Sequence, residues 1–160
     1  MSTTAPSAHG GPCAPIAPAW HAAFPAPKAN LANGSLAAIS CAELRALQMQ
    51  QSDALEMRTF LVVDVRRADF EDAYIAGAIN LPAQSFYQTL PALLPLLTPY
   101  NTVIFHCSSS KGRGPRCAGW YEDALEVAGL QNQSRGAVLT GGIVAWKEQY
   151  AREKDAVVWL

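Results

Sequence analysis

The sequence predicts an α/β fold, a parallel sheet with helices on both faces. Two observations carry this. From about residue 36 onward, short β-branched apolar runs alternate with helix-patterned segments. The run 60–65, Phe60-Leu61-Val62-Val63-Asp64-Val65, is almost continuously apolar, as in a strand buried on both faces.

The elements follow in order. Residues 36–39 read as a short first strand. Ser40 can cap the next helix, which runs to Gln51, with Glu43 at the capping-box position. Residues 60–65 are the second strand and 78–81 the third, ended by Pro82. Residues 83–97 carry a helical pattern that Pro91 and Pro95 are expected to break. Residues 102–106 are the fourth strand. A helix follows from Pro115, whose fixed φ suits a first helical position. Residues 137–140 are the fifth strand, and 142–153 the last helix, with Gly141-Gly142 as the tight turn between them. The expected division is an arm over 1–35, a catalytic domain over 36–153 and a short tail over 154–160. The arm holds six of the eleven prolines and one charged residue, Lys28, and is expected to be disordered.

Composition narrows the function. Half of the 160 residues are hydrophobic, enough for a core. The net charge of −1 gives no global attraction to nucleic acid or to an anionic membrane, so an anion site must be local. No apolar run approaches the roughly 20 residues that span a bilayer, and no secretory signal is evident, so a cytoplasmic or nuclear protein is expected. Cys13, Cys41, Cys107 and Cys117 form no Cys-x-x-Cys pair, and His106 is the only histidine after His21, so no metal site is expected.

The chemistry concentrates in His106-Cys107-Ser108-Ser109-Ser110-Lys111-Gly112-Arg113-Gly114-Pro115. This segment leaves a buried strand and opens a helix, where parallel sheets bind ligands. Five residues separate Cys107 from Arg113. Ser108, Ser109, Ser110, Lys111 and Gly112 are small or flexible enough to curl with their backbone N–H groups inward, and the following helix adds its positive end. Arg113 can fold back and grip two oxygens with its planar fork. The same field favours an anionic sulfur on Cys107, a nucleophile that needs no separate base. His106 should point to the opposite face from Cys107 and shape the loop.

These residues resemble the active-site loop of the rhodanese-fold phosphatases, the family of the cell-cycle dual-specificity phosphatases. Ser110-Lys111 before the arginine is also similar to the fungal arsenate reductases of that group. Asp64-Val65-Arg66, Asp69-Phe70, Ile75, Gly77-Ala78 and Asn80-Leu81-Pro82 follow the superfamily's first signature. Leu139-Thr140-Gly141-Gly142 with Ala145-Trp146 follows its C-terminal one. The resemblance covers about residues 36–152 and is strongest to small single-domain fungal members.

It implies a rhodanese-like five-stranded parallel sheet, Cys107 as nucleophile and Arg113 as oxyanion clamp. A phosphatase of this kind works through a phosphocysteine, on a phosphorylated substrate and without a cofactor. An arsenate reductase uses the same loop on arsenate, with glutathione and glutaredoxin as reductant. The loop is one residue longer than is typical of the sulfurtransferases, which disfavours that reading, and retention of both Cys107 and Arg113 disfavours a non-catalytic phosphate-binding module.

The chain departs from the family in three places. Tyr74 stands where the first signature usually has histidine, the loop carries no carboxylate, and the plant relatives' zinc-binding tail is not evident. Asp64, Asp69 and Asp72 are the candidate acids, with Asp64 expected instead to hold structural hydrogen bonds below the loop. Cys117 reads as a packed helix cysteine rather than a resolving thiol. Cys41, at a helix start, is a candidate for a stabilised thiolate without an anion site. Trp120 and Trp146 read as core, Arg116 as a solvated helix residue, and Glu122, Asp123 and Glu126 as an exposed face.

Overall fold

The computed structural model describes residues 19–51 and 57–160. Five strands form one all-parallel sheet: β1 (Ala37–Ile39), β2 (Phe60–Asp64), β4 (Ile79–Asn80), β5 (Thr102–His106) and β6 (Arg135–Leu139), in the order β1-β6-β5-β2-β4. The fold class expected from the pattern of runs is the one observed.

Side-chain alternation builds a core on each face of the sheet. Leu61, Val63, Val103, Phe105 and Val138 face α2 (Ala83–Leu97) and α3 (Arg113–Ala128). Phe60, Val62, Ile104, Ala137 and Leu139 face α1 (Cys41–Gln50) and α4 (Gly142–Tyr150). Trp146 and Trp120 are both core residues, 0% and 2% exposed.

The helix ends follow their local chemistry. At α1, the Glu43 amide donates to Ser40 Oγ and the Ser40 amide to Glu43 Oε2, the reciprocal pair expected. At α2 the expectation fails: the helix runs unbroken through Pro91 and Pro95. Each proline removes an amide donor, but Phe86, Leu90 and Leu97 are buried on one face, and that packing holds the turns together. Helix α3 opens at Arg113, two residues earlier than expected, so the loop's arginine is itself the first helical residue.

One other expectation is corrected. Residues 19–35, expected within a disordered arm, are folded onto the domain. A 3-10 turn, Trp20–Ala23, sets Trp20 and Phe24 edge-on to Trp120, and Phe24 also meets Tyr87. Trp120 Nε1 donates to the Pro25 carbonyl at 2.8 Å. The rest of the expected arm lies outside the described residues. The tail after 153 also contributes structure. Its β7 (Val157–Trp159) pairs antiparallel with β3 (Ala73–Ile75) in a separate two-stranded ribbon, and the Leu160 amide donates to the Asp72 carbonyl. The apolar composition of 156–159 is explained by that pairing and by burial of Ala156 and Val157.

Candidate active site

Strand β5 carries buried residues to its end at His106, and there the chain leaves the sheet at Cys107. The chain turns back at Ser110, which takes a left-handed φ of 56°. Ser110 Oγ, itself buried, accepts from the Cys107 amide at 3.4 Å. Cys107 is recessed at the base, 3% exposed. Ser109, Lys111 and Gly112 lie exposed along the rim.

Two helix starts clamp this loop. On one side, Gly114 in the first turn of α3 packs so tightly that a Cβ there would stand 3.2 Å from His106 Cα. On the other, the first turn of α4 donates to the loop: Ile143 N to the Cys107 carbonyl and Val144 N to the Ser108 carbonyl, each at 3.1 Å. Gly142 makes that approach possible. Its φ is 59°, and a Cβ would lie 2.5 Å from both carbonyl oxygens. The Gly-Gly pair expected only as a turn is thus also the buttress of the loop.

His106 lies behind it, fully buried. Its Nδ1 is 3.0 Å from the Cys107 carbonyl, which can only accept, so Nδ1 carries the proton. Nε2 has no hydrogen-bond partner and faces Asp64 Oδ2 at 3.6 Å. Burial holds the imidazole below its ordinary range, against the opposing pull of Asp64. The β2–β5 register, which sets Asp64 opposite His106, explains the juxtaposition.

Asp64 accepts from the Arg66 amide and, at 2.7–3.0 Å, from Arg66 Nε and Nη2. Arg66 in turn donates to the carbonyls of Asp69 at 3.0 Å and Ala73 at 2.8 Å. This buried pair fixes the segment between β2 and β3. Asp64 is therefore structural and does not reach the loop's mouth. Asp72 is exposed, with φ 64°.

Asp69 does reach the mouth. Its Oδ1 accepts from Arg113 Nη1 at 2.7 Å, and its Oδ2 accepts from Arg113 Nη2 at 2.6 Å and from Ser108 Oγ at 2.8 Å. The Arg113 guanidinium, and then the Ser108 hydroxyl, hold the Asp69 carboxyl far below the usual carboxylate range, against the opposing effect of burial. Arg113 is held charged by Asp69 first and by Cys107 after it.

The structure brings Cys107, Ser108, Arg113 and Asp69 together, with His106 and Asp64 beneath them. The sequence placed Asp69 among three possible acids but not on Arg113. Its position in the Asp-Val-Arg…Asp-Phe signature was the available signal.

The remaining cysteines with described surroundings are inert by environment. Cys117 is fully buried, and burial, then the nearby Cys107, pushes its thiol up, which fits packing rather than resolving chemistry. Burial likewise pushes Cys41 up, so the helix start does not make it a thiolate. Glu122 and Asp123 are half-buried rather than solvated: Glu122 accepts from the Gly136 amide, and Asp123 from the amides of Lys28 and Ala29. Arg116 stacks over the Trp120 ring at 6.0 Å. Among the described residues no cluster of three or more metal-ligating side chains occurs, and no helix is long and apolar enough to cross a membrane.

A family model described as the rhodanese-like domain matches residues 41–149. The chain is 34% identical over 108 residues to arsenical-resistance protein 2 of Saccharomyces cerevisiae, covering 62% of this chain and 82% of that protein. It is 39% identical over 100 residues to arsenate reductase 2.2 of Oryza sativa subsp. japonica, covering 59% and 77%. Among solved structures it superposes on Ygr203w, described as a yeast protein tyrosine phosphatase of the rhodanese family, with a TM-score of 0.64 and 27% identity over 78% of this chain and 94% of that one.

Proposed function

We propose that this chain, which belongs to the rhodanese-like domain family, hydrolyses phosphomonoesters through a phosphocysteine on Cys107. It is an enzyme of the family's cysteine-dependent phosphatase and arsenate reductase group. The observation that carries the finer reading is the recessed Cys107 at the base of a loop whose far end, Arg113, brings its guanidinium to Asp69 and to Ser108, the residue after the cysteine.

The Cys107 thiolate attacks phosphorus in line, a sulfur–phosphorus bond forms, and the phosphorus–oxygen bond breaks to release the alkoxide or phenoxide, which takes its proton from solvent. Arg113 and the loop amides of 108–113 stabilise the three equatorial oxygens as charge spreads over them. Water then attacks the phosphocysteine, releasing inorganic phosphate and the thiolate. The first turn of α4 keeps the carbonyls of Cys107 and Ser108 occupied, so they are not turned toward an anion. No cofactor enters these steps.

A second reading has its own support: the two relatives described above are both named for arsenic chemistry. Arsenate has the same tetrahedral oxygens. Cys107 would displace hydroxide from arsenic to form a thiol–arsenate adduct, and two electrons from glutathione, with glutaredoxin as partner, would take arsenic(V) to arsenic(III).

One comparison separates the readings. p-Nitrophenyl phosphate hydrolysis and glutathione/glutaredoxin-coupled arsenate reduction are measured on wild type and Cys107→Ser. Hydrolysis that falls to background in Cys107→Ser supports the phosphatase. Full hydrolysis in that variant sinks it, and Cys107-dependent arsenate reduction without hydrolysis transfers the assignment to the reductase.

A further inference from the structure

Arg113 presents two terminal nitrogens toward the mouth of the loop, and a carboxylate of the chain itself already occupies both. The same carboxylate takes the hydroxyl of Ser108. Two guanidinium nitrogens, a positive charge and a hydroxyl are what the loop would offer an oxyanion. Asp69 is bound as such a ligand would be.

Its tether makes the arrangement exchangeable. The Asp69 backbone is fixed, because Arg66 donates to its carbonyl and the buried Asp64–Arg66 pair fixes Arg66. The Asp69 side chain is 40% exposed and Arg113 24%, so water can replace either partner.

We propose that Asp69 is an internal counter-anion of Arg113, which an incoming tetrahedral oxyanion displaces from the guanidinium and from Ser108 Oγ. In the free enzyme it holds the Arg113 guanidinium beside Ser108 Oγ. In the complex it stands beside a dianion with its cationic partner engaged elsewhere, so it takes a proton from solvent. Asp69 is thus a positioning residue that sets the affinity of the loop for oxyanions and couples their binding to proton uptake. This extends the oxyanion-binding reading above and rests on it.

The coupling has few other sources. Arg113 and Ser108 face Asp69 from the loop, and Arg66 and Arg67 flank it on its own segment, where Glu71 and Asp72 are exposed. β7 contributes no charged side chain, and His106 is walled off beneath Asp64.

The test needs no turnover. Sulfate stays a dianion from pH 5 to pH 8, so it serves as the probe, and Cys107→Ser removes the thiol as a titrating group. Sulfate binding is measured by calorimetry on Cys107→Ser and on Cys107→Ser/Asp69→Asn, at pH 5.5 and 7.5, in buffers of different ionisation enthalpy.

Cys107→Ser should bind sulfate more tightly at pH 5.5 and take up protons as it binds. Asp69→Asn in that background should bind about two- to fivefold more tightly at pH 7.5, as expected for removal of a surface ion-pair competitor. It should show no proton uptake. Asp69→Glu in the same background keeps the charge and should restore the uptake.

Equal or weaker sulfate binding in the asparagine variant, or unchanged proton uptake, overturns the proposal. If neither protein binds sulfate, the oxyanion cradle itself falls and the counter-anion with it. If sulfate binds with these signatures but no phosphatase or reductase turnover is found, the counter-anion stands and only the catalytic reading fails.

Discussion

His106 shows how one buried side chain sets both the loop and the pH response. It holds the Cys107 carbonyl from below, and its buried ring is kept below its ordinary value of 6.5. An unfolded chain would protonate that histidine normally, so below pH 6.5 the unfolded state binds a proton the folded state does not. Its contribution to stability is therefore full above pH 6.5 and is lost as pH falls. Thermal unfolding between pH 7 and 5 is expected to show a falling midpoint in wild type and a shallower fall in His106→Asn, which keeps a donor near the Nδ1 position. Equal slopes would mean that the ring takes up its proton in the fold as it does in the unfolded chain. Cys107 and Arg113 were legible in the sequence because a nucleophile and a cation with five residues between them, between a strand and a helix start, define a ring by spacing alone. The Asp69–Arg113 pair was not, since it spans 44 residues and depends on how Arg66 folds the intervening segment.

Among the elements, α4 does more than cover the sheet. The amides of Ile143 and Val144 in its first turn are engaged by the loop's carbonyls, so its start and the loop are one mechanical unit. This separates two left-handed glycines that look alike on φ alone. At Gly129, just past the end of α3, an added methyl group would meet nothing within 4 Å, so Gly129→Ala carries only the backbone penalty, about 1 kcal/mol. Gly142→Ala adds a collision with two carbonyl oxygens and should cost about 2 kcal/mol or more. Denaturant unfolding with p-nitrophenyl phosphate turnover checks both: Gly129→Ala should keep its turnover and Gly142→Ala should lose most of it. Undiminished turnover in Gly142→Ala would detach α4 from the loop. The long elements were readable because 60–65 and 102–106 are apolar on both faces and Ser40/Glu43 mark a cap. Strands β3 and β7, three residues each, are too short to show a period, and only their pairing with each other makes them strands. The prolines of α2 misled for the converse reason, a local rule overridden by packing on the sheet.

At the scale of the molecule, residues 19–35 lie on α3, the helix that begins with Arg113. Their attachment combines the Trp20, Phe24, Tyr87 and Trp120 cluster with the Asp123 carboxylate, which accepts from the amides of Lys28 at 2.7 Å and Ala29 at 3.0 Å. Asp123→Ala leaves two amides without that acceptor and should cost about 1–3 kcal/mol. Hydrogen exchange is expected to accelerate at Lys28 and Ala29, with hydrolysis through Cys107 unchanged. Unaltered exchange there would show that the aromatic cluster alone holds the segment. Composition misjudged this stretch because its few aromatic residues find partners only on the folded helix.

The ribbon of β3 and β7 has a consequence for the birth of the enzyme. Ala73–Ile75, which adjoins the Asp69 segment, leaves the ribosome several seconds before its partner Val157–Trp159, at about 5–20 residues per second. During that interval Ala73–Ile75 stands without the antiparallel partner that completes its ribbon. A message cut short before Val157–Trp159 would leave Ala73–Ile75 as an unpaired edge open to another chain, while Asp69 keeps the tether that Arg66 gives its carbonyl.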